Sequence, residues 1–134
     1  SEVLVDAELP LGRLDVTAAY QDACHLAHGQ HVRAQPRALL ARIPGLRLVE
    51  LGDAEMCCGS AGVYNILEPA MAETLLALKL DRIGATGART VVAGNPGCLL
   101  QLARGARARG LALEAVHPVT LLARAAGLGR PGAP

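Results

Sequence analysis

Residues 90–116, TVVAGNPGCLLQLARGARARGLALEAV, contain the pattern that decides the fold. Thr90–Ala93 is a short apolar run that predicts a buried strand, and Cys98–Arg109 predicts a helix that stops at Gly110. Leu111–Val116 then predicts a second strand. A strand, a helix and a strand joined by short connections are typical of a parallel β-sheet with helices on its faces.

The same alternation extends towards the start and the end of the chain. Further strands are predicted at Asp15–Tyr20 and Leu46–Leu51, and further helices at Pro36–Ile43, Pro69–Ile83 and Pro118–Ala126. Gly84 and Gly87 are expected to end the helix that begins at Pro69. The sequence therefore predicts an α/β fold, with a mostly parallel sheet of about four strands and flanking helices in a Rossmann-like three-layer arrangement.

Residues 16–127 are predicted to form one domain, which suits a chain of 134 residues. Residues 1–15 are interpreted as a lead-in or linker, because Pro10 and Gly12 interrupt them without a clear period. The Gly- and Pro-rich residues 128–134 are predicted to form a loose tail.

Composition argues against several classes of function. The net charge of +1 gives no electrostatic case for binding nucleic acid or an anionic membrane. There is no Phe or Trp for a base-stacking platform, since Tyr20 and Tyr64 are the only aromatic residues. No apolar run reaches the ~20 residues that a membrane-spanning helix needs. Lys79 is the only lysine beside twelve arginines, and no function is assigned to this bias.

The four cysteines carry the functional argument. Cys24 follows the first predicted strand, Cys57 and Cys58 follow the second, and Cys98 follows the third. Right-handed crossovers place the carboxyl ends of parallel strands at one edge of the sheet, where the functional groups of open α/β sheets gather. We therefore expect the four thiols to converge there.

Such a set of thiols can be buried apolar sulfur, a disulfide framework or a metal site. Adjacent side chains point to different sides of an extended backbone, so Cys57 and Cys58 do not easily both enter the core. A disulfide between neighbours would be strained. Metal ligation explains more, because Gly59 permits a tight turn and Asn95 to Cys98 opens a helix whose backbone N–H groups favour a thiolate. Spacing alone leaves an iron–sulfur cluster and a tetrahedral zinc site equally open.

The histidines are open to a functional or a structural interpretation. His25 directly follows Cys24 and could contact a ligand cysteine or be structural, and the sequence does not choose. His28 and His31 are interpreted as polar residues of a turn that caps the next helix. His117 follows the fourth predicted strand, and we expect it to begin the last helix rather than to bind metal.

Three motifs resemble the CCG family of cysteine-rich domains: DACHLAHGQ at 22–30, MCCGSAG at 56–62 and GNPGC at 94–98. That family has a cysteine, a later Cys-Cys-Gly and a final C-x-x-C. It includes a subunit of heterodisulfide reductase, lactate-utilisation proteins and the iron–sulfur subunit of glycolate oxidase. The spacing of the motifs fits the family, and the resemblance extends from about Val16 to Gly127.

The resemblance implies an iron–sulfur cluster on Cys24, Cys57, Cys58 and Cys98, with zinc as the alternative. Gly59, Gly97, His25 and His117 are candidate neighbours of this site. Asn95 departs from the family pattern, because it stands where the first cysteine of C-x-x-C is expected. Five cysteines support the noncubane clusters of heterodisulfide reductase, so four do not predict that type. They are compatible with a conventional four-iron (4Fe–4S) cluster, which we expect, or with a degenerate site that holds zinc or nothing. We expect Asn95 to cap the helix that begins at Pro96.

Within that family, the chain resembles the C-terminal CCG domain of the glycolate oxidase iron–sulfur subunit. That similarity implies an electron-transfer domain of a flavin-linked 2-hydroxyacid oxidase, with FAD only in a flavoprotein partner and with glycolate or lactate as substrate. It implies a C-terminal portion of a subunit that also holds a ferredoxin-like segment and a first CCG domain. The fragment is expected to have no catalytic activity alone. Its expected location is cytoplasmic, at the inner face of the membrane through the complex.

Two other functions stay open. One is a structural zinc-binding or interaction module of the same complex. The other is a thiol redox domain of the heterodisulfide reductase type, which would use Cys57 and Cys58.

Overall fold

A computed structural model of the chain describes residues 3–4 and 6–128. These residues form a four-stranded sheet in which every pair of neighbouring strands is parallel. The strands are β1 (Val16–Gln21), β2 (Leu46–Glu50), β3 (Thr90–Ala93) and β4 (Glu114–Val116), arranged in the order β2-β1-β3-β4. The predicted α/β fold with a parallel sheet is confirmed.

Helices connect and follow the strands. They are α1 (Ala34–Ala41), α2 (Tyr64–Leu67), α3 (Pro69–Ala85), α4 (Pro96–Ala108) and α5 (Pro118–Ala125), with a short π-helix at His25–Gly29. Prolines occupy the first turns of α3, α4 and α5, where a missing backbone N–H costs nothing. Among the described residues, no helix is long and apolar enough to cross a bilayer.

The sheet is packed on both faces. Its two central strands, β1 and β3, bury small side chains towards both sides, as central parallel strands do. On one face, α3 and α4 contribute Leu76, Leu80 and Leu102 to the core; on the other, α1 and α5 contribute Leu40 and Leu121. The helices therefore lie in separate layers on either side of the sheet, as the three-layer prediction requires.

The structure corrects several predicted boundaries. Helix α1 begins at Ala34 and ends at Ala41, two residues before its predicted bounds, and α4 begins at Pro96 rather than Cys98. Strand β4 begins at Glu114 rather than Leu111, because the Leu111 N–H donates to the Ala106 carbonyl and so belongs to the end of α4. Helix α3 continues through Gly84 to Ala85. Gly87 instead follows the helix end, with a φ of +72° that suits the left-handed position after a C-cap.

The sequence did not predict the π-helix at His25–Gly29 or the short helix α2. The residues interpreted as a lead-in contribute to packing, since Leu9, Leu11 and Leu14 lie against the α1–α5 core. The predicted loose tail at 128–134 lies outside the described residues, except for Leu128.

An ion-pair network holds α1 against the ends of β1 and β2. Arg37 on α1 donates to both carboxylate oxygens of Asp22 at 2.8 Å, and to those of Glu50 at 2.7 and 2.9 Å. Its guanidinium also lies 4.5 Å from the centre of the Tyr20 ring. Asp22 is buried, so the hydrogen bonds from Arg37 compensate a carboxylate that has lost its water.

Replacing Arg37 should therefore destabilise the domain. We expect Arg37→Met to lower the free energy of unfolding by about 3 kcal/mol, because it leaves a buried carboxylate unpaired. Arg13→Met is the matched control: its ion pair with Asp15 is exposed and should contribute little. Urea denaturation of both variants measures the difference, and equal losses would contradict this account.

Candidate metal centre

The strand order creates a crevice at the carboxyl edge of the sheet. From β1 the chain crosses to β2 on one side, and it then returns to β3 on the other side of β1. The connections that leave β1 and β3 therefore diverge, which is the topological switch point where open α/β sheets bind ligands. Cys24 lies in the first of these connections, and Cys98 lies in the first turn of α4 after the second.

Cys58 and Cys98 are both buried, and both belong to the core cluster on the α3–α4 side of the sheet. The Cys98 thiol donates a hydrogen bond to the Cys58 sulfur, and this bond is the largest cause of a pKa of Cys58 lowered to about 6. Backbone N–H groups of Ser60 and Cys58 and the charge of Lys79 act in the same direction, while burial opposes them. The same hydrogen bond raises the pKa of Cys98, so the pair holds one proton tightly.

Cys57 and Cys24 lie at the more open side of this pair. Both are half-buried, and the Cys57 sulfur accepts a hydrogen bond from the Gly59 N–H at 3.3 Å. Both act electrostatically on Cys98, where they raise the pKa of its thiol. Within the described ranges, no three His, Cys, Asp or Glu side chains are arranged to hold one metal ion. The four thiols thus lie near enough to influence one another, but among the described residues only Cys58 and Cys98 are linked by a hydrogen bond.

Gly59 is required by the path of the loop. Its φ is +86°, and a Cβ there would lie 2.4 Å from the carbonyl oxygen of Ala72 on α3. The sequence predicted a tight turn after the cysteine pair. The structure adds the reason that only glycine fits, which is the close approach of the loop to the backbone of α3.

Asn95 caps α4, as predicted. Its side-chain oxygen accepts a hydrogen bond from the Cys98 N–H at 3.1 Å, so it holds the first turn of the helix in place. A Cβ at Gly97 would lie 3.0 Å from the capping oxygen of Asn95, which is a tight contact, and 3.4 Å from the Ser60 hydroxyl oxygen of the cysteine loop. The amide nitrogen of Asn95 also lies 3.4 Å from Nδ1 of His25, which is exposed.

The other histidines do not reach the cysteines through any described contact. The prediction that His28 and His31 cap the next helix is wrong, since α1 begins after Arg33 without a side-chain cap. His28 belongs to the π-helix at His25–Gly29, which ends before α1 begins. Its Nε2 instead lies 3.6 Å from a carboxylate oxygen of Glu55. His117 begins α5, as expected: its Nδ1 accepts a hydrogen bond from the Val119 N–H at 3.2 Å.

Lys79 is a residue near the site that the sequence interpretation missed. It is fully buried on α3, and its ammonium donates to the Asp53 carbonyl at 2.8 Å. Burial lowers its pKa to about 8, against the opposing charges of Cys58, Asp53 and Cys57. One signal was available: a single lysine in an arginine-rich chain, on the helix face that also carries Leu76 and Leu80.

Hydrogen bonds connect the loop that carries the cysteine pair to the end of β1. The Gln21 amide nitrogen donates to the carbonyls of Asp22 at 2.8 Å and Met56 at 3.2 Å. The Asp22 N–H donates to the Ala54 carbonyl at 3.2 Å. Backbone and side-chain bonds at the end of a central strand therefore fix where Cys57 and Cys58 lie.

Comparison with known families agrees with this arrangement. The profile of the cysteine-rich domain named CCG matches residues 18–103, which include all four cysteines. The chain belongs to the CCG family. The expected resemblance is confirmed, and the matched region contains most of β1, all of β2 and β3, and the first half of α4.

This CCG domain is similar to parts of longer proteins. It is 42% identical, over 95% of its length, to the "Probable glycolate oxidase iron-sulfur subunit" of Bacillus subtilis (strain 168), of which it covers 30%. It is 30% identical over 78% of its length to "Lactate utilization protein A" of Shouchella clausii, covering 44% of it. It is 34% identical over 83% of its length to a fumarate reductase (CoM/CoB) subunit of Methanothermobacter marburgensis, covering 23%. The chain thus spans less than half the length of each of these relatives.

The Gly59 position gives a test of how tightly the loop is held. We expect Gly59→Ala to lower the free energy of unfolding by about 3 kcal/mol, since it combines an unfavourable φ with a clash against α3. Gly62→Ala is the matched control: its φ is +55°, and a Cβ there would meet nothing within 4 Å. Chemical denaturation compares the two, and a loss at Gly62 as large as at Gly59 would contradict the close approach.

The contact between Cys58 and Cys98 predicts a pH dependence in metal-free protein. Because the pKa of Cys58 is lowered, its thiolate should form as the pH rises through about 6. Cys98→Ala removes the largest cause and should move this midpoint up towards the ordinary value of about 8.5.

The ultraviolet absorbance of the thiolate follows this titration. Cys24→Ala is the control and should leave the low midpoint in place. A midpoint that Cys98→Ala does not move would show that the two sulfurs are not in contact.

Proposed function

We propose that this CCG domain is an iron–sulfur electron-transfer domain of a flavin-linked 2-hydroxyacid oxidase of the glycolate oxidase type. The observation that carries the proposal is that all four cysteines lie near one another at the switch point: Cys58 and Cys98 are hydrogen-bonded, and Cys24 and Cys57 act electrostatically on Cys98. These thiols come from three separate connections of the sheet. A shared bound group explains why they are brought to one place.

The donor set suits an anionic, sulfur-rich group. Four thiolates can hold a four-iron cluster, and hydrogen bonds from the backbone to sulfur tune such a cluster. Gly59 supplies one such bond to Cys57, and Ser60 supplies one to Cys58. Gln101, one turn after Cys98 on α4, is buried with an amide nitrogen that has no partner in the described part of the chain. An orphaned buried donor beside the site is what an acceptor-rich group would satisfy.

The protein's own groups hold and orient the ligands in this proposal. Cys24, Cys57, Cys58 and Cys98 are the ligands, and a bound cluster would supply one-electron storage. Asn95 fixes the turn that presents Cys98, and Gly59 fixes the turn that presents the cysteine pair. Cys58 and Cys98 close the inner side, whereas the half-buried Cys24 and Cys57 leave the outer side near the surface. An electron would enter and leave on that outer side.

The partners follow from the similarity to longer proteins. We place a flavoprotein with FAD as the electron donor, and the rest of the same subunit, a ferredoxin-like segment and a first CCG domain, as the next carrier. Glycolate is the proposed substrate of the parent complex, and lactate is the alternative, since relatives carry either name. The domain itself would relay electrons in the cytoplasm and would have no oxidase activity alone.

A structural zinc site is the second candidate. The hydrogen bond between Cys58 and Cys98 favours it, because a tetrahedral ion holds its sulfur ligands close together, at about 2.3 Å from the metal. Against it, no third side chain of the described residues joins them in an arrangement for one ion. A cluster binds each sulfur to a different iron, so it does not require all four sulfurs to touch.

Anaerobic reconstitution with ferrous iron and sulfide separates the candidates. We expect a brown domain that binds iron and sulfide, with an EPR signal after reduction by dithionite. Cys57→Ser should lose most of the iron, because one ligand is gone. His28→Ala, on the neighbouring π-helix but outside the site, should keep it. A colourless wild-type domain that binds one zinc ion and no sulfide would refute the electron-transfer function.

A further inference from the structure

The buried ammonium of Lys79 has no carboxylate partner among the residues that the structure describes. Its side chain is fully buried, and its one described hydrogen bond goes to the neutral carbonyl of Asp53 at 2.8 Å. The Asp53 carboxylate is engaged by Arg82 instead. A buried charge is costly unless it is paired, so the usual counter-ion must be sought among other groups.

The groups that face Lys79 identify that counter-ion. Within the described part of the chain, the acidic groups close enough to act on its charge are those of Cys58, Asp53 and Cys57, and the neighbouring cation is Arg82. Since Arg82 offsets Asp53, the sulfurs of the cysteine pair are left to balance the ammonium. The effect is mutual, because the charge of Lys79 also stabilises the thiolate of Cys58 and so lowers the pKa of that thiol.

Lys79 also fixes the loop that carries the pair. Asp53 has a φ of +55°, a conformation that a non-glycine residue adopts only when its surroundings hold it. From the core side, the Lys79 ammonium donates a hydrogen bond to the carbonyl of Asp53. From the surface side, the Arg82 guanidinium donates one to the carbonyl of Gly52 at 3.2 Å. Both cations therefore bind backbone carbonyls of the same loop, but only the charge of Lys79 is buried.

We propose that Lys79 is a positioning residue of the metal centre, whose buried ammonium anchors the Cys57–Cys58 loop at Asp53 and offsets the negative charge of the sulfur-rich group bound there. This inference rests on the proposed function. A lysine suits the role because its charge is compact and its apolar stem packs in the core, whereas a guanidinium would bring five donors that need partners.

A fixed positive charge favours the reduced state of a neighbouring redox group. When the site accepts one electron from the reduced flavin of the partner, its negative charge grows by one, and no bond forms or breaks. The ammonium stabilises the reduced state more than the oxidised state. Lys79 therefore raises the reduction potential of the centre.

The test compares variants that remove the charge with one that loosens the loop from the surface. Lys79→Met keeps the length of the side chain, and Lys79→Gln keeps an amide that can donate towards Asp53; either variant that folds suffices. Arg82→Met is the matched control, because it removes the other tether of the same loop without changing the buried charge. Each domain is reconstituted anaerobically and titrated with dithionite while EPR follows the reduced centre.

We expect the charge-removing variants to lower the equilibrium constant for reduction at least tenfold, a fall of about 59 mV in potential for one electron. Arg82→Met should change it much less. Thermal unfolding of the metal-free domains gives a second readout: Lys79→Met should melt below wild type, because it loses the hydrogen bond that anchors the loop at Asp53.

The outcomes separate the two proposals. A wild-type domain that takes up no cluster would refute the proposed function and this inference together. A wild-type cluster whose potential is the same in the Lys79 and Arg82 variants would overturn the role of Lys79 alone. A lower melting temperature of metal-free Lys79→Met with an unchanged potential would likewise reduce Lys79 to a structural tether.

Discussion

The parallel pairing of β1 with β3 is the constraint on which the site depends. Their register sets Gln21, the last residue of β1, opposite Ala93, the last residue of β3. Both strands therefore end at one level, and the connections that carry Cys24 and Cys98 start side by side. Small buried residues such as Ala19 and Val91 let α3 and α4 pack closely on this part of the sheet. A slip of this register would displace one thiol relative to the other.

The Cys57–Cys58 pair reaches the same place by another route. It follows the edge strand β2, so the sheet alone does not bring it to the switch point. The loop is drawn across by Gln21 from β1 and by Lys79 from α3, and it closes against α3 at Gly59. Strand order thus positions Cys24 and Cys98, whereas tertiary contacts position the Cys57–Cys58 pair. These contacts are made by buried polar groups, which restrict the conformation of the loop.

The sequence predicted the parts of the molecule that depend on local pattern. Apolar runs and turn residues indicated the four strands and the parallel sheet, and Asn95 before Pro96 indicated the start of α4. The missed features depend on packing. Gly84 costs a helix only about 1 kcal/mol, which the burial of Leu80 and Ile83 on α3 overcomes. A π-helix has no simple periodic signature in the sequence, so the positions of His25 and His28 within it could not be predicted.

Lys79 shows why charge at a site is harder to predict than ligands. Cysteine spacing identifies candidate ligands because each follows a strand, but a lysine in an apolar helix is expected to be exposed unless the packing of that helix is known. Its burial places a fixed cation near the Cys57–Cys58 pair on the core side of the site, whereas Cys24 is half-buried. A zinc ion held by four thiolates is also stabilised by such a cation, but its charge stays constant. A centre whose charge changes with each electron gains from it in one state more than in the other, and this difference connects the buried ammonium to electron transfer.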